Sequence, residues 1–258
     1  LVVLSAEHFS SRLEKPSIRS LASAIPLPRT RILFYVRRQS DLAVSSFSSA
    51  LRSGVRWWLT ADRVSPDNRF FNHLAVADDW ADVFGRANIE LRAFDRLRAG
   101  VEQDFLSAIG VDPATGFQPV KPRKEKISLE EARLLHVLNR HIPNWVDAVA
   151  NDDPESFYKA QRLRERVLLM TGRELTDRTG LDVLLPCAVR DSIGSRFADI
   201  NRELAERYGV EIPDGAVRPD ETAADIAADD QVDLFARVLA RFGYDVLDLE
   251  QGIAALEA

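Results

Sequence analysis

Cysteine is nearly absent: Cys187 is the single one in 258 residues, which excludes an internal disulfide and any metal cluster built from cysteines. Glycine is missing from the first quarter, where the earliest is Gly54, and the earliest lysine is Lys15. No Gly-Lys-Ser/Thr pattern occurs anywhere, so a nucleoside-triphosphate phosphate loop is excluded. Apolar runs such as Ile32–Val36 fall far short of the ~18 residues that a membrane helix needs, so no integral membrane segment is expected. No basic–apolar–small segment opens the chain either, which makes the cytoplasm the expected compartment. The first residue is Leu1 rather than methionine, and the true N-terminus is expected upstream.

What is present is ordinary in amount and uneven in placement. Hydrophobic residues make up 46% and charged residues 29%, a balance that removes disordered and collagen-like classes. The net charge of −6 conceals a basic first quarter: residues 1–63 carry ten Lys/Arg against four Asp/Glu, and residues 219–258 carry two against ten. An acidic chain with one basic region argues against nucleic acid as a partner and suits a local site for a small polyanion. Arginine outnumbers lysine 29 to 5, a bias that codon usage explains as readily as chemistry.

Leu1–Leu4 reads as a short buried strand. Helical spacing follows through Phe9, Leu13, Ile18, Leu21 and Ile25, closed by Pro26 and Pro28. Ile32–Val36 is apolar without alternation, the pattern of a strand covered on both faces. A helix is predicted from Ser40 to a stop at Gly54, another over His73–Phe84 before Gly85, a strand over Asn88–Phe94, and a helix over Val101–Ile109 before Gly110. Beyond that point helices dominate: Ser128 with Glu131 makes a capping box, and further helices are predicted at about 154–171, 188–208 and 231–242. Strand–helix alternation followed by helices implies α/β, a parallel sheet flanked by helices with a mostly helical second half. The organisation expected is a single domain over 1–258, with an α/β part over 1–111 and a mainly helical part over 128–258.

The residues best suited to chemistry lie at Tyr35-Val36-Arg37-Arg38-Gln39-Ser40-Asp41, continuing to Ser45 and Phe47. A buried strand here delivers two arginines to the start of a helix, whose free N–H groups and partial positive charge attract phosphate or sulfate. Arginine adds a planar fork for a bidentate grip on an oxyanion. In open α/β sheets, ligands sit at this edge.

This segment resembles the 3′-phosphate-binding motif of sulfotransferases that use 3′-phosphoadenosine 5′-phosphosulfate, in which a strand ends in arginine and a helical serine lies eight residues later. Arg37 and Ser45 have that spacing, and Arg37-Arg38-Gln39 is similar to the form found in bacterial, carbohydrate-sulfotransferase-like members. The likeness extends more diffusely to Leu4-Ser5-Ala6-Glu7-His8, to Trp80…Phe84-Gly85…Ile89–Asp95, to Asp104-Phe105-Leu106…Gly110 and to Asn201…Tyr208. The resemblance implies that the sheet has the P-loop-like sulfotransferase architecture. It also implies that Arg37, Ser45 and, as an auxiliary, Arg38 hold the co-substrate 3′-phosphoadenosine 5′-phosphosulfate. Glu7 would be the general base toward an acceptor hydroxyl on a carbohydrate or small molecule, with His8 as its rival, and no metal would be needed. The family's 5′-phosphosulfate loop, rich in Gly, Ser and Thr and carrying a Lys or Arg, has no counterpart in residues 1–53. The resemblance places that strand–loop–helix unit ahead of Leu1 and implies that this chain alone does not transfer sulfonyl groups.

Other residues carry weaker signals. Arg56, Trp57 and Trp58, with Arg52 and Arg63 nearby, suit an acceptor cleft, since indole faces stack on sugars, although paired tryptophans also suit a core. His136 and His141 are five apart, off the spacing of a helical metal pair, and Cys187 sits in an apolar run that predicts an inert core position. Two further functions stay open beside the sulfotransferase: a non-catalytic nucleotide- or glycan-binding protein of the same fold, and a glycosyl- or phosphoryl-transfer enzyme using the same corner.

Overall fold

The computed structural model describes residues 1–6, 8–25, 30–97, 100–112, 126–174 and 179–213. Two aliphatic stretches supply the strands, β1 (Ile32–Val36) and β2 (Ile89–Ala93), paired in parallel with Ile32 opposite Ile89 and Val36 opposite Ala93. A parallel pair needs a long crossover rather than a hairpin turn. The intervening chain contains α3 (Gln39–Arg52) and α4 (His73–Phe84), numbered after two short N-terminal helices, α1 (His8–Ser11) and α2 (Lys15–Ser23). Next come α5 (Val101–Ala108), α6 (Leu129–Leu138), α7 (Trp145–Ala150), α8 (Pro154–Glu174) and α9 (Cys187–Tyr208). The architecture is α/β, dominated by helix, with a small parallel sheet flanked by helices.

The helix signals act as their chemistry requires. Asn72 caps α4 by accepting from the Ala75 N–H at 3.0 Å, and Gly85, at φ +85°, closes the helix by donating to the Ala81 carbonyl at 2.8 Å. Ser128 and Glu131 form a reciprocal box at α6, with bonds of 2.8 and 3.1 Å. Asn144 and Asp147 do the same at α7.

Two expectations are corrected. Leu1–Leu4 is irregular and exposed, Leu1 at 90% and Val2 at 85%, because no described strand lies beside it to pair its backbone. β1 is mostly half-buried rather than covered on both faces, since among the described residues it pairs only with β2. The helix expected at 231–242 lies outside the described residues. Among the described residues, no helix is long and apolar enough to cross a membrane.

The chain divides into two compact units, with a boundary inside α3 after Leu42. The first comprises Leu1–Leu42, Ala61–Pro122 and Cys187–Pro219; it therefore contains both strands together with α2, α4 and α9. Its core centres on Trp80, which stacks on Phe84 at 5.5 Å and meets Phe34 edge-on at 5.6 Å, with Ile18, Ile89 and Leu204 also buried. Such aromatic contacts each add about 0.5–1.5 kcal/mol beyond the area they bury.

Among the described residues, the second unit comprises 43–60, 126–174 and 179–186. Its centre includes a fully buried arginine. Arg164 donates from Nε to Asn139 Oδ1 at 2.8 Å and from Nη2 to the Pro143 carbonyl at 2.7 Å. Asn139 in turn donates to the Leu51 and Val55 carbonyls, each at 2.9 Å. Burial pulls the Arg164 guanidinium down to about 10, helped by the nearby Arg56 charge. Gly54 closes this nest at φ +93°, where an added Cβ would stand 2.5 Å from Arg164 Nη2 and 2.9 Å from Asn144 Cβ. Gly54→Ala therefore combines left-handed strain with overpacking against a buried charge. It should cost roughly 1–3 kcal/mol, read as a lower urea midpoint; an unchanged midpoint would show that the nest yields without penalty.

Candidate functional site

The parallel register ends both strands at one edge. After Val36 the chain presents Arg37 and Arg38; after Ala93 it presents Phe94 and Asp95 in a single short turn of 3-10 helix. Asp95 joins the two ends. Its Oδ1 accepts from Arg37 Nε at 3.3 Å, and its Oδ2 accepts from the Arg38 backbone N–H at 2.9 Å. The Arg37 guanidinium lies over the Phe94 ring, 5.0 Å from its centroid. Neither terminal nitrogen of Arg37 has a hydrogen-bond partner among the described residues, and its side chain stays 25% exposed.

Arg38 is differently engaged. It donates from Nη1 to Asp41 Oδ2 at 2.7 Å and from Nε to the Pro213 carbonyl at 3.1 Å. Asp41, in the first turn of α3, also accepts from Arg190 Nη1 at 2.7 Å. The anion that a helix start attracts is thus supplied by the chain itself. Alongside it, the Gln39 and Asn201 side-chain amides bond reciprocally at 2.8 and 3.3 Å. Three arginines therefore meet two aspartates here, Arg37, Arg38 and Arg190 against Asp41 and Asp95.

A cavity of about 100 Å³ opens beside Arg37. Ser10, Tyr35, Arg37 and His73 line it, with an apolar wall that includes Phe34 and Phe70. Tyr35 is locked by a 2.7 Å bond from its hydroxyl to Asp104, which also takes two bonds from Arg92 at 2.5 and 2.6 Å. Burial and the Asp104 carboxylate push the Tyr35 hydroxyl well up, so it stays protonated. His73, at the start of α4, donates from Nε2 to the Arg37 carbonyl at 2.8 Å.

The sequence-derived candidates are distributed unevenly. Glu7 lies outside the described residues, and His8 is exposed at the start of α1. Ser45 is half-buried in α3, in the second unit. In that unit Arg56 donates to the Asn139 and Ile142 carbonyls at 2.7 and 3.3 Å and pairs with Asp147. Trp57 and Trp58 pack on Phe47, at 5.5 and 5.2 Å between ring centroids, and Trp58 also meets His136. These are the contacts of a packed corner. Cys187 is half-buried at the start of α9 rather than in the core. Among the described residues no group of three or more His, Cys, Asp or Glu side chains is placed to hold a metal ion. His73 escaped sequence reasoning, because its only local signal is the preceding Asn72 cap, which marks a helix start and not a cavity.

No family model, curated protein or solved structure matches the chain.

The Arg92–Asp104–Tyr35 group also sets an acid response. The Arg92 hydrogen bonds hold the Asp104 carboxyl below its ordinary value, against a burial that raises it, and the Tyr35 hydroxyl helps. A carboxylate depressed in the folded state contributes stability that is present at neutral pH and lost as pH falls through the depressed value. Asp104→Asn should therefore be less stable than wild type near neutrality, with the gap closing between about pH 7 and about pH 2 in urea melts. A constant gap across that range would remove Asp104 from the acid limb.

Proposed function

We propose that this chain is a sulfotransferase that moves a sulfonyl group from 3′-phosphoadenosine 5′-phosphosulfate to a hydroxyl of a carbohydrate or small-molecule acceptor. The observation that carries this reading is Arg37 itself. Asp95 and Phe94 hold its guanidinium at the strand edge while, among the described residues, its two terminal nitrogens remain available to an oxyanion. In this reading Arg37 takes the 3′-phosphate. Arg38 assists indirectly, through its grip on Asp41. Glu7, or His8 in its place, removes the acceptor proton.

The product nucleotide, adenosine 3′,5′-bisphosphate, is the direct probe. A hydrogen bond to a charged group is worth ~1.5–3 kcal/mol, so Arg37→Ala should weaken binding by roughly 10–100-fold in calorimetry. Equal binding by wild type and Arg37→Ala would remove Arg37 from the site.

A protein that holds the nucleotide without turnover would share this corner, and the base separates the two. Glu7→Gln keeps shape and loses the proton acceptor, so turnover should fall by about 10²–10⁴-fold with nucleotide affinity unchanged. Turnover that survives Glu7→Gln and disappears in His8→Ala moves the base to His8.

A further inference from the structure

The His73 imidazole has one nitrogen committed and one not. A carbonyl oxygen carries no hydrogen, so the 2.8 Å contact with the Arg37 carbonyl requires that Nε2 hold the proton. In the neutral ring Nδ1 then carries a lone pair, and among the described residues no group donates to it. Burial lowers the His73 pKa, opposed by the bond to the Arg37 carbonyl and by the Asp95 charge. The α4 N-terminus also disfavours a second proton. His73 is thus a neutral hydrogen-bond acceptor lining the same cavity as Arg37, whose unpaired nitrogens are donors only.

We infer that this cavity recognises an oxyanion with a hydroxyl beside it, Arg37 holding the anion and His73 Nδ1 accepting the hydroxyl hydrogen. The inference rests on the nucleotide reading above and narrows it. For a nucleoside 3′-phosphate the adjacent hydroxyl is the ribose 2′-OH, so the ribonucleotide is preferred over its 2′-deoxy form. Arginine can donate to the hydroxyl oxygen but cannot accept the hydroxyl hydrogen, and His73 Nδ1 supplies that acceptor. The tie from Nε2 to the Arg37 carbonyl fixes the spacing of the two groups, so anion and hydroxyl are read together.

The experiment is a cycle of two ligands and two proteins. Calorimetry compares adenosine 3′,5′-bisphosphate with 2′-deoxyadenosine 3′,5′-bisphosphate on wild type and on His73→Gln. The glutamine amide nitrogen can keep the donor to the Arg37 carbonyl, while the acceptor at the Nδ1 position is lost. Wild type should favour the ribonucleotide by roughly 2–10-fold, the worth of one neutral hydrogen bond, and His73→Gln should bind the two about equally. Equal binding by wild type, or a preference that persists in His73→Gln, overturns the inference and leaves the nucleotide reading standing. Binding of neither nucleotide to wild type sinks the nucleotide reading, and this inference with it. Should His73→Gln fail to fold, nitrogen-15 resonances of the wild-type imidazole decide the matter. The His73 Nδ1 signal should move on adding the ribonucleotide and not the deoxynucleotide, and an identical response to both counts against the assignment.

Discussion

Asp95 spends its two carboxylate oxygens on two different parts of the strand edge, and the local structure depends on that division. One oxygen fixes the Arg38 backbone N–H, which sets the turn from β1 into α3; the other fixes Arg37 Nε, which sets the plane of the guanidinium. Both contacts require that the strands end in register, since the residue after Val36 must meet the turn that follows Ala93. His73 adds the start of α4 through the Arg37 carbonyl. One peptide unit is thus held by the ends of both strands and by a helix start. That over-determination is what a preorganised anion grip needs, because a fork already fixed loses little rotamer entropy when its ligand arrives.

Charge in this region is managed locally. Several basic residues of the first 63 are paired: Arg31 with Glu90, Arg38 with Asp41 and Arg56 with Asp147. Exposed pairs of this kind contribute little stability, about 0–1 kcal/mol, but they cancel long-range field. The start of α3 is likewise answered by Asp41 rather than left for a ligand. At the strand edge, Arg37 is held by Asp95 through Nε alone among the described residues. A single fork of this kind suits one phosphate-like group better than a polymer.

The sequence made the elements legible where local chemistry decides them. Asn72, Gly85 and the Ser128–Glu131 box fix helix ends through bonds within a few residues, which makes the helix at 73–84 and the start of α6 legible, whereas α8 runs on to Glu174, past the expected end at 171. Arg37 was readable from its place at the end of an apolar run. Leu1–Leu4 was misread because an apolar, β-branched run becomes a strand only beside a partner, and pairing is set by distant residues. Asp95 drew notice only as part of a diffuse likeness. Its pairing with Arg37 spans 58 residues and follows from the β1–β2 register, which no local pattern encodes. His73 was invisible in the same sense, since the cavity it lines is made by residues from several separate segments.

An arginine-rich composition makes every arginine a candidate, so the deciding property must be how each fork is satisfied. Arg92 is spent on Asp104 and Glu90, and Arg56 on Asp147 and two carbonyls. Arg164 also keeps an unsatisfied nitrogen, because its Nη1 is buried without a partner among the described residues. Its environment, however, is protein on all sides: the side chain is fully buried, its other nitrogens face Asn139 and Pro143, and Gly54 stands against it in place of a ligand. Such an arginine holds its own unit together, and burial makes its charge costly to keep. Arg37 differs in three linked respects. It is partly open, it lines a cavity, and among the described residues its one hydrogen-bonded nitrogen is Nε. Satisfaction at Nε combined with availability at Nη1 and Nη2 is the pattern that orients a guanidinium for bidentate recognition without filling it.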